Sequence, residues 1–176
     1  MEHVILVDSD DRFIGTMEKM EAHEKGALHR AFSVFLFGRR PEGLSTLLQR
    51  RADTKYHFSG LWSNTCCSHP RADETPLEAG LRRLSEELNI TCELRAMGRF
   101  EYRAVCENGL IEHEVDHLLM GWYDQPLVEP NETEVSAVKW MTVETLEREL
   151  ERNPAQFTPW LRMSFPIVKK ALSTAA

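Results

Sequence analysis

The chain has 176 residues, 42% of them hydrophobic, and a formal net charge of -7 at pH 7. This length suits one domain over residues 1–176, and the acidic balance argues against nucleic acid as a partner. The sequence contains no apolar run long enough to span a membrane and no secretory signal at its start.

Segments rich in β-branched and aromatic residues predict the first strands. Residues 3–7 and 12–16 form two predicted strands joined by an aspartate-rich turn. A central strand is predicted over 29–37, and another over 44–50 after a short turn. The stretch 52–75 is long, polar and irregular, and a loop of that length inside a compact domain usually carries function.

A complete N-terminal signal marks the clearest helix. Thr75 is the expected N-cap, Pro76 occupies the first helical position, and Glu78 completes a capping box. Asn89 suits the helix end. The spacing predicts one apolar stripe, made of Leu77, Leu81, Leu84 and Leu88. Small residues beside this stripe would let another segment approach closely.

The second half of the chain predicts a hairpin, a strand and two helices. Residues 97–105 and 110–121 flank an Asn-Gly turn and are predicted to pair as a β-hairpin. A strand is expected over 135–140, a helix over 141–152 and a last helix over 165–174. Strands and helices therefore share one domain.

One spacing pattern overlaps the predicted helix and resembles the Nudix box, in which a loop and a helix present glutamates to a metal bound to a diphosphate. Counted from Ser68, the matching positions are Glu74, Arg82, Leu84, Glu86, Glu87 and Ile90. Ser68 and Asn89 replace glycines of that pattern, and Arg83 replaces a glutamate. Because Arg83 removes a metal-binding carboxylate and adds a phosphate-binding guanidinium, the pattern favours holding a diphosphate over hydrolysing it.

Nearly the whole chain resembles the type 1 isopentenyl-diphosphate isomerases, which are non-hydrolytic members of the Nudix fold. The resemblance is carried by Glu18-Lys19 with His23, and by residues 28–33, 50–52, 62–70, 102–104, 112–114 and 159–160. It implies an α+β protein with a Nudix-like mixed β-sheet and flanking helices, an α/β/α sandwich. Ser68 stands where that family commonly has the glycine of Cys-Gly-His, and we expect the loop to tolerate serine.

The resemblance implies an enzyme of isoprenoid biosynthesis that converts isopentenyl diphosphate into dimethylallyl diphosphate. One proton is added to an unactivated alkene and another leaves the allylic position, so the site needs an acid, an opposed base and a wall that stabilises a carbocation. The implied catalytic residues are Cys67, Glu114, Tyr102 and Trp160. Cys67 is expected to face Glu114 across the substrate, with Tyr102 assisting Glu114. Trp160 is expected to face the cation, and Trp62 to line the same pocket.

By the same resemblance, one divalent metal, Mg²⁺, Mn²⁺ or Zn²⁺, is surrounded by His23, His29, His69, Glu112 and Glu114. The residues add one independent argument, because Glu112 and Glu114 point to the same side of a strand, although a solvent-facing strand shows the same alternation. Glu87 is expected to hold a second ion, Mg²⁺, that bridges to the substrate diphosphate. The implied diphosphate contacts are Lys19, Arg51, Lys55 and Arg83.

The register of the predicted hairpin decides whether Tyr102 can reach Glu114. A two-residue loop, Asn108-Gly109, pairs Tyr102 with Val115 and turns its side chain away from Glu114. A three-residue loop, or a bulge, places Tyr102 opposite Glu114 with glycine at positive φ. We predict this second register.

The cysteines bear on the compartment and on the alternatives. Four are present, including the adjacent pair Cys66 and Cys67, which favours free thiols in the cytoplasm over a disulfide framework. With no sign of a large apolar patch, we expect a monomer.

Two alternative functions remain open. One alternative is a Nudix hydrolase of a nucleoside or prenyl diphosphate, in which Cys67 would be an inert buried thiol. The other is a metal-binding domain without enzymatic activity.

Overall fold

The computed structural model describes residues 2–127 and 129–174, and within them nine strands form one sheet flanked by four α-helices. The strands are β1 (His3–Val7), β2 (Phe13–Glu18), β3 (His29–Arg40), β4 (Gly43–Arg51), β5 (Trp62–Ser63), β6 (Cys66–Ser68), β7 (Leu94–Val105), β8 (Ile111–Trp122) and β9 (Val135–Thr142). The helices are α1 (Lys19–Lys25), α2 (Pro76–Leu88), α3 (Val143–Arg152) and α4 (Pro159–Thr174). No helix among these residues is long and apolar enough to cross a membrane.

Strand β3 lies at the centre of the sheet. It pairs in parallel with β8 and antiparallel with β1, β4 and β6. Outside these neighbours, β2 pairs with β1, β7 with β8, and both β5 and β9 with β4. The sheet is therefore mixed, as predicted, and its one parallel pair brings the first residues of β3 and β8 together.

The side chains of β3 alternate between two apolar cores. One buried cluster joins the sheet to α2 and includes Phe32, Val34, Leu36, Leu84 and Leu88. The other joins the sheet to α3 and α4 and includes Phe35, Phe37, Leu146, Leu161 and Phe165. The sheet is covered by helices on both faces, which confirms the predicted α/β/α sandwich.

Helix α2 begins and ends where the sequence predicts. The Thr75 hydroxyl accepts a hydrogen bond from the Glu78 N–H, and the Glu78 carboxylate accepts one from the Thr75 N–H. At the other end, Asn89 has a left-handed φ of 54°, a conformation that asparagine tolerates well at a helix end. Both ends are local signals, and both predictions are confirmed.

The predicted leucine stripe of α2 is wrong in its first half. Leu77 and Leu81 are 37% and 38% exposed, whereas the two later leucines are buried. Helix α2 meets the sheet through Ala79 and Gly80, and a Cβ added at Gly80 would lie only 2.7 Å from Leu119 Cδ1. Because the helix approaches through its small residues, the contact face is rotated away from the first two leucines.

Four further elements differ from the sequence-based expectation. Helix α1 was not predicted, because a seven-residue helix is too short to show a clear period. Strands β5 and β6 lie inside the supposedly irregular stretch 52–75 and depend on pairing with β4 and β3. Helix α4 begins at Pro159 rather than at residue 165 and contains Pro166 in its interior. Pro159 holds the first-turn position that prolines favour, and Pro166 was mistaken for it.

Gly121 on β8 has no room for a side chain. An added Cβ would lie 2.6 Å from the carbonyl oxygen of Glu93 and 2.9 Å from methyl groups of Leu36 and Leu94. We expect Gly121→Ala to lower the free energy of unfolding by about 1–3 kcal/mol in urea denaturation. Gly80→Ala is the matched control and should lose less stability. The atom closest to its added Cβ is the end of a side chain that can move, and alanine is about 1 kcal/mol more favourable than glycine in a helix. Equal losses in the two variants would contradict this account.

Arg82 holds the carboxylate of Glu74, just before α2. Its Nε and Nη2 donate to the two oxygens at 2.6 and 2.8 Å, and these bonds lower the pKa of Glu74 from 4.5 to about 2. The ion pair therefore stabilises the fold above pH 4.5, and this stabilisation is lost as the pH falls towards 2. We expect Glu74→Gln to lower the free energy of unfolding at pH 7 by about 1–2 kcal/mol. Urea titrations between pH 7 and 2 should show the difference shrinking below pH 4.5, and a constant difference would refute the assignment.

Candidate active site

Five polar side chains from four separate segments meet beside the first residues of β3 and β8. Their ligand atoms all lie within 4.8 Å of one another, and the residues are His23, His29, His69, Glu112 and Glu114. Helix α1 supplies the first histidine, β3 the second, and the turn after β6 the third, while β8 supplies both glutamates. Four of the five residues are buried, so this is not a solvated acidic surface.

Backbone contacts orient two of the histidine rings. Nδ1 of His23 lies 2.6 Å from the Lys19 carbonyl oxygen, and Nδ1 of His29 lies 2.8 Å from that of Ala27. Since a carbonyl only accepts, each Nδ1 carries a proton and Nε2 faces the cluster. The Nε2 of His23 is 3.1 Å from Glu112 Oε2, a contact that needs either a second proton or a cation. Three imidazoles and two carboxylates arranged in this way fit a divalent metal.

The inward-facing carboxyl groups of β8 differ in the direction of their pKa shifts. Burial raises the pKa of Glu112, but the neighbouring His23 and His57 outweigh it and hold the pKa well below its ordinary value. At Glu114, burial and the charge of Glu112 raise the pKa. Its two hydrogen-bonded histidines outweigh them, so the pKa lies below its ordinary value. At Asp116, burial and the charge of Glu114 dominate and raise the pKa well above its ordinary value. The pKa of Asp116 is thus shifted in the opposite direction to those of the two glutamates.

Cys67 and Glu114 lie on opposite sides of β3. Cys67 pairs with Ser33 across one edge of the strand, and Glu114 pairs with His29 across the other. Both residues line one cavity of about 130 Å³. A cavity of about 150 Å³ accommodates benzene, so this cavity is comparable in size with a chain of five carbons.

Tyr102 reaches Glu114 because of the hairpin register. Tyr102 is paired with Glu114, and its hydroxyl donates to Glu114 Oε2 at 2.6 Å. The loop has three residues, closed by a bond from the Cys106 N–H to the Leu110 carbonyl, and Gly109 has a φ of 83°. The predicted register is confirmed.

The thiol of Cys67 is protonated at neutral pH. Burial raises its pKa to about 12, against the opposing charge of Arg51.

Ser68, the neighbour of Cys67, lies in β6, paired with Phe32, and is not among the residues with left-handed φ. Ser68 therefore does not need the backbone freedom of glycine in this structure, and tolerance of the serine remains a prediction.

The family model for the NUDIX domain matches residues 27–161. An isopentenyl-diphosphate Delta-isomerase of Burkholderia multivorans is 50% identical over 159 residues, covering 90% of this chain and 88% of that protein. Another, from Photobacterium profundum, is 46% identical over 175 residues, covering 98% and 97%. The chain belongs to the NUDIX family and, within it, to the isopentenyl-diphosphate isomerases. The solved structure of DR0079 from Deinococcus radiodurans has a TM-score of 0.73 at 20% identity, covering 94% of this chain and 98% of that one, and supports the NUDIX fold.

The cavity of this NUDIX protein has four cationic side chains among its lining residues, beside four glutamates. The four residues expected at the diphosphate all line it: Lys19, Arg51, Lys55 and Arg83. Lys19 contacts Glu2 at 2.9 Å and Lys55 contacts Glu134. The Arg51 Nε is buried without a hydrogen-bond partner. A phosphate could exchange with these carboxylates and supply the missing partner of Arg51.

Glu87 is not among the residues that line the cavity. It is 4% exposed, and its carboxylate accepts hydrogen bonds from Gln49 at 2.9 Å and from Arg83 Nε at 3.0 Å. Arg83 also lies 3.1 Å from Glu134, a cavity residue. In this isomerase-family chain the expected second ion site is therefore covered by Arg83, which must shift before Glu87 can meet an ion.

Trp160 is held rigidly against the cavity. It lies in the first turn of α4, its Nε1 donates to Ser63 Oγ at 2.9 Å, and it lines the cavity. The edge of Phe58 packs against its ring with centroids 5.4 Å apart. Trp62 was expected in the same pocket but is absent from its lining, and instead packs under Lys139, whose Nζ is 3.9 Å from the ring centroid. As the first residue of β5, Trp62 has its side-chain direction fixed by pairing with β4.

Several cavity residues were not predicted from the sequence, namely Glu2, Tyr56, His57 and Glu134. His57 and Tyr56 lie in the polar stretch 52–75, whose length signalled function without indicating which residues matter. Glu134 precedes β9 and forms ion pairs with Lys55 and Arg83, which are distant in the chain. A search for charged residues near predicted strand ends would have included it among many others.

Proposed function

We propose that this chain interconverts isopentenyl diphosphate and dimethylallyl diphosphate, with Cys67 and Glu114 exchanging protons on opposite faces of the five-carbon chain. The observation that supports this proposal is that a thiol with a raised pKa and a carboxylate with a lowered pKa line one cavity, on the two strands that flank β3. Addition of a proton to the terminal carbon gives a tertiary cation, and loss of a proton from the neighbouring methylene gives the isomer. Because the reverse reaction uses the same groups, each donates in one direction and accepts in the other.

The cavity walls support a short-lived cation. Trp160 presents its ring to the cavity, and a cation–π contact is worth about 2 kcal/mol when desolvated. Tyr102 donates to Glu114 and is itself buried, so its hydroxyl can return or relay a proton without bulk water. Exclusion of water also prevents capture of the cation as an alcohol.

The five-residue cluster is the proposed site of one divalent ion, Mg²⁺, Mn²⁺ or Zn²⁺. Such an ion would fix the position of Glu114 and stabilise its ionised form. Glu114 then uses Oε1 towards His69, at 3.0 Å, and Oε2 towards Tyr102. Both oxygens of the carboxylate thus have defined partners, and a fixed position is what a directed proton transfer requires.

The diphosphate is proposed to lie among Lys19, Arg51, Lys55 and Arg83. Arg51 and Arg83 can each make two parallel bonds to a phosphate, a geometry that lysine cannot reproduce. Arg83 occupies a position at which the Nudix box has a glutamate, and it pairs with Glu86 and Glu87. This replaces a metal-binding carboxylate by a phosphate-binding group and disfavours hydrolysis. A Mg²⁺ carried by the diphosphate would be held by Glu87 once Arg83 turns to the phosphate.

Incubation with isopentenyl diphosphate and Mg²⁺ in deuterated water tests the proposal. Deuterium should enter the dimethylallyl product and the recovered substrate, and mass spectrometry should show the diphosphate intact. Release of phosphate without deuterium exchange would instead establish a hydrolase. Metal binding without either reaction would leave only a binding domain, so each alternative has its own outcome.

A further inference from the structure

His57 contacts the metal cluster from outside it. The residue is 8% exposed, and its Nε2 contacts Glu112 Oε1. The other oxygen of the same carboxylate, Oε2, faces His23 Nε2 at 3.1 Å. The two oxygens of Glu112 thus have different tasks, since one faces the cluster and the other is occupied by His57.

The surroundings of His57 differ from those of the three cluster histidines. His57 is not a member of the group whose ligand atoms all lie within 4.8 Å. Its ring stacks on Tyr56, with centroids 4.2 Å apart and planes at 30°, and its Nδ1 is buried without a hydrogen-bond partner. Packing therefore fixes the plane of the ring, while Nε2 provides its hydrogen bond to Glu112.

We propose that His57 is a positioning residue that holds Glu112 in place for the metal, an inference that rests on the metal site proposed above. A carboxylate only accepts, so Nε2 carries the proton and donates to Oε1. This bond stops the carboxylate from rotating and leaves Oε2 as the ligand atom. Partners of this kind, one step behind the ligands, typically change metal affinity about 10–100-fold.

Calorimetric titration of the metal-stripped full chain with Mn²⁺ tests the inference. His57→Phe keeps a planar ring on Tyr56 but removes the donor, and it should weaken Mn²⁺ binding about 10–100-fold. His57→Gln keeps an N–H donor and should recover most of that loss. A purely structural role would give the opposite order, because phenylalanine preserves the packing better than glutamine does.

His117→Phe is the matched control. His117 lies on the face of β8 opposite to Glu112 and pairs with Asp11, with Nε2 2.9 Å from Oδ2, so this variant should bind Mn²⁺ as the unaltered chain does. Unchanged binding by His57→Phe would overturn the inference while leaving the metal site intact. Failure of the unaltered chain to bind Mn²⁺ would overturn both. If His57→Phe does not fold, His57→Gln decides, and a loss of about 10-fold or more in that variant refutes the positioning bond.

Discussion

Cys67→Ala should lower kcat/KM for isopentenyl diphosphate by about 10²–10⁴-fold, the usual contribution of a group that transfers a proton. The thiol is the cavity group opposite Glu114, and alanine leaves that face without a proton donor or acceptor. Dimethylallyl diphosphate formation, followed by mass spectrometry under saturating Mg²⁺, measures the loss. Affinity for the substrate should change little, because the diphosphate contacts are intact.

Cys66→Ala provides the control within the same strand. Cys66 is fully buried in the core cluster beneath α2 and is not among the cavity residues, because adjacent residues of a strand face opposite sides. Its loss should reduce the free energy of unfolding by about 1 kcal/mol and leave kcat unchanged. Equal activity in the two variants would remove Cys67 from the mechanism.

Local signals explain which parts of the fold the sequence could predict. The two ends of α2 depend on residues within one turn of each end, such as Thr75 and Asn89, and both were predictable. The hairpin register depends on a few residues around Gly109 and was also predictable. The buried face of α2 could not be predicted, because it depends on how closely Gly80 can approach Leu119, a residue almost forty positions away.

The candidate site depends on contacts between distant segments. Its five clustered residues span positions 23 to 114, and no periodic pattern connects them. The family resemblance could point to these positions, because related sequences share a fold that brings matching positions together. The alternation of Glu112 and Glu114 alone fits a solvent face equally well. His57 and Glu134 were missed because their partners become visible only when the loop after β4 and the segment before β9 meet the cavity.

Glu114→Gln should abolish isomerisation in a way that added metal cannot restore. Glutamine keeps the shape of the side chain and can still accept the Tyr102 hydroxyl bond, but it cannot take up and return a proton. We expect kcat to fall by about 10²–10⁴-fold at any Mn²⁺ concentration. Glu112→Gln is the comparison, because Glu112 is a proposed ligand that contacts His23 and His57 but does not bond Tyr102.

The two glutamine variants separate metal binding from proton transfer. Glu112→Gln should bind Mn²⁺ at least about 10-fold more weakly and regain most of its kcat when Mn²⁺ is raised to saturation. Glu114→Gln should remain inactive under the same conditions, because it lacks the carboxylate that accepts the proton and added metal does not replace that group. Calorimetry gives the affinity of each variant and product formation gives its kcat. If saturating Mn²⁺ restored both variants equally, Glu114 would be a ligand alone, and the base opposite Cys67 would have to be Tyr102.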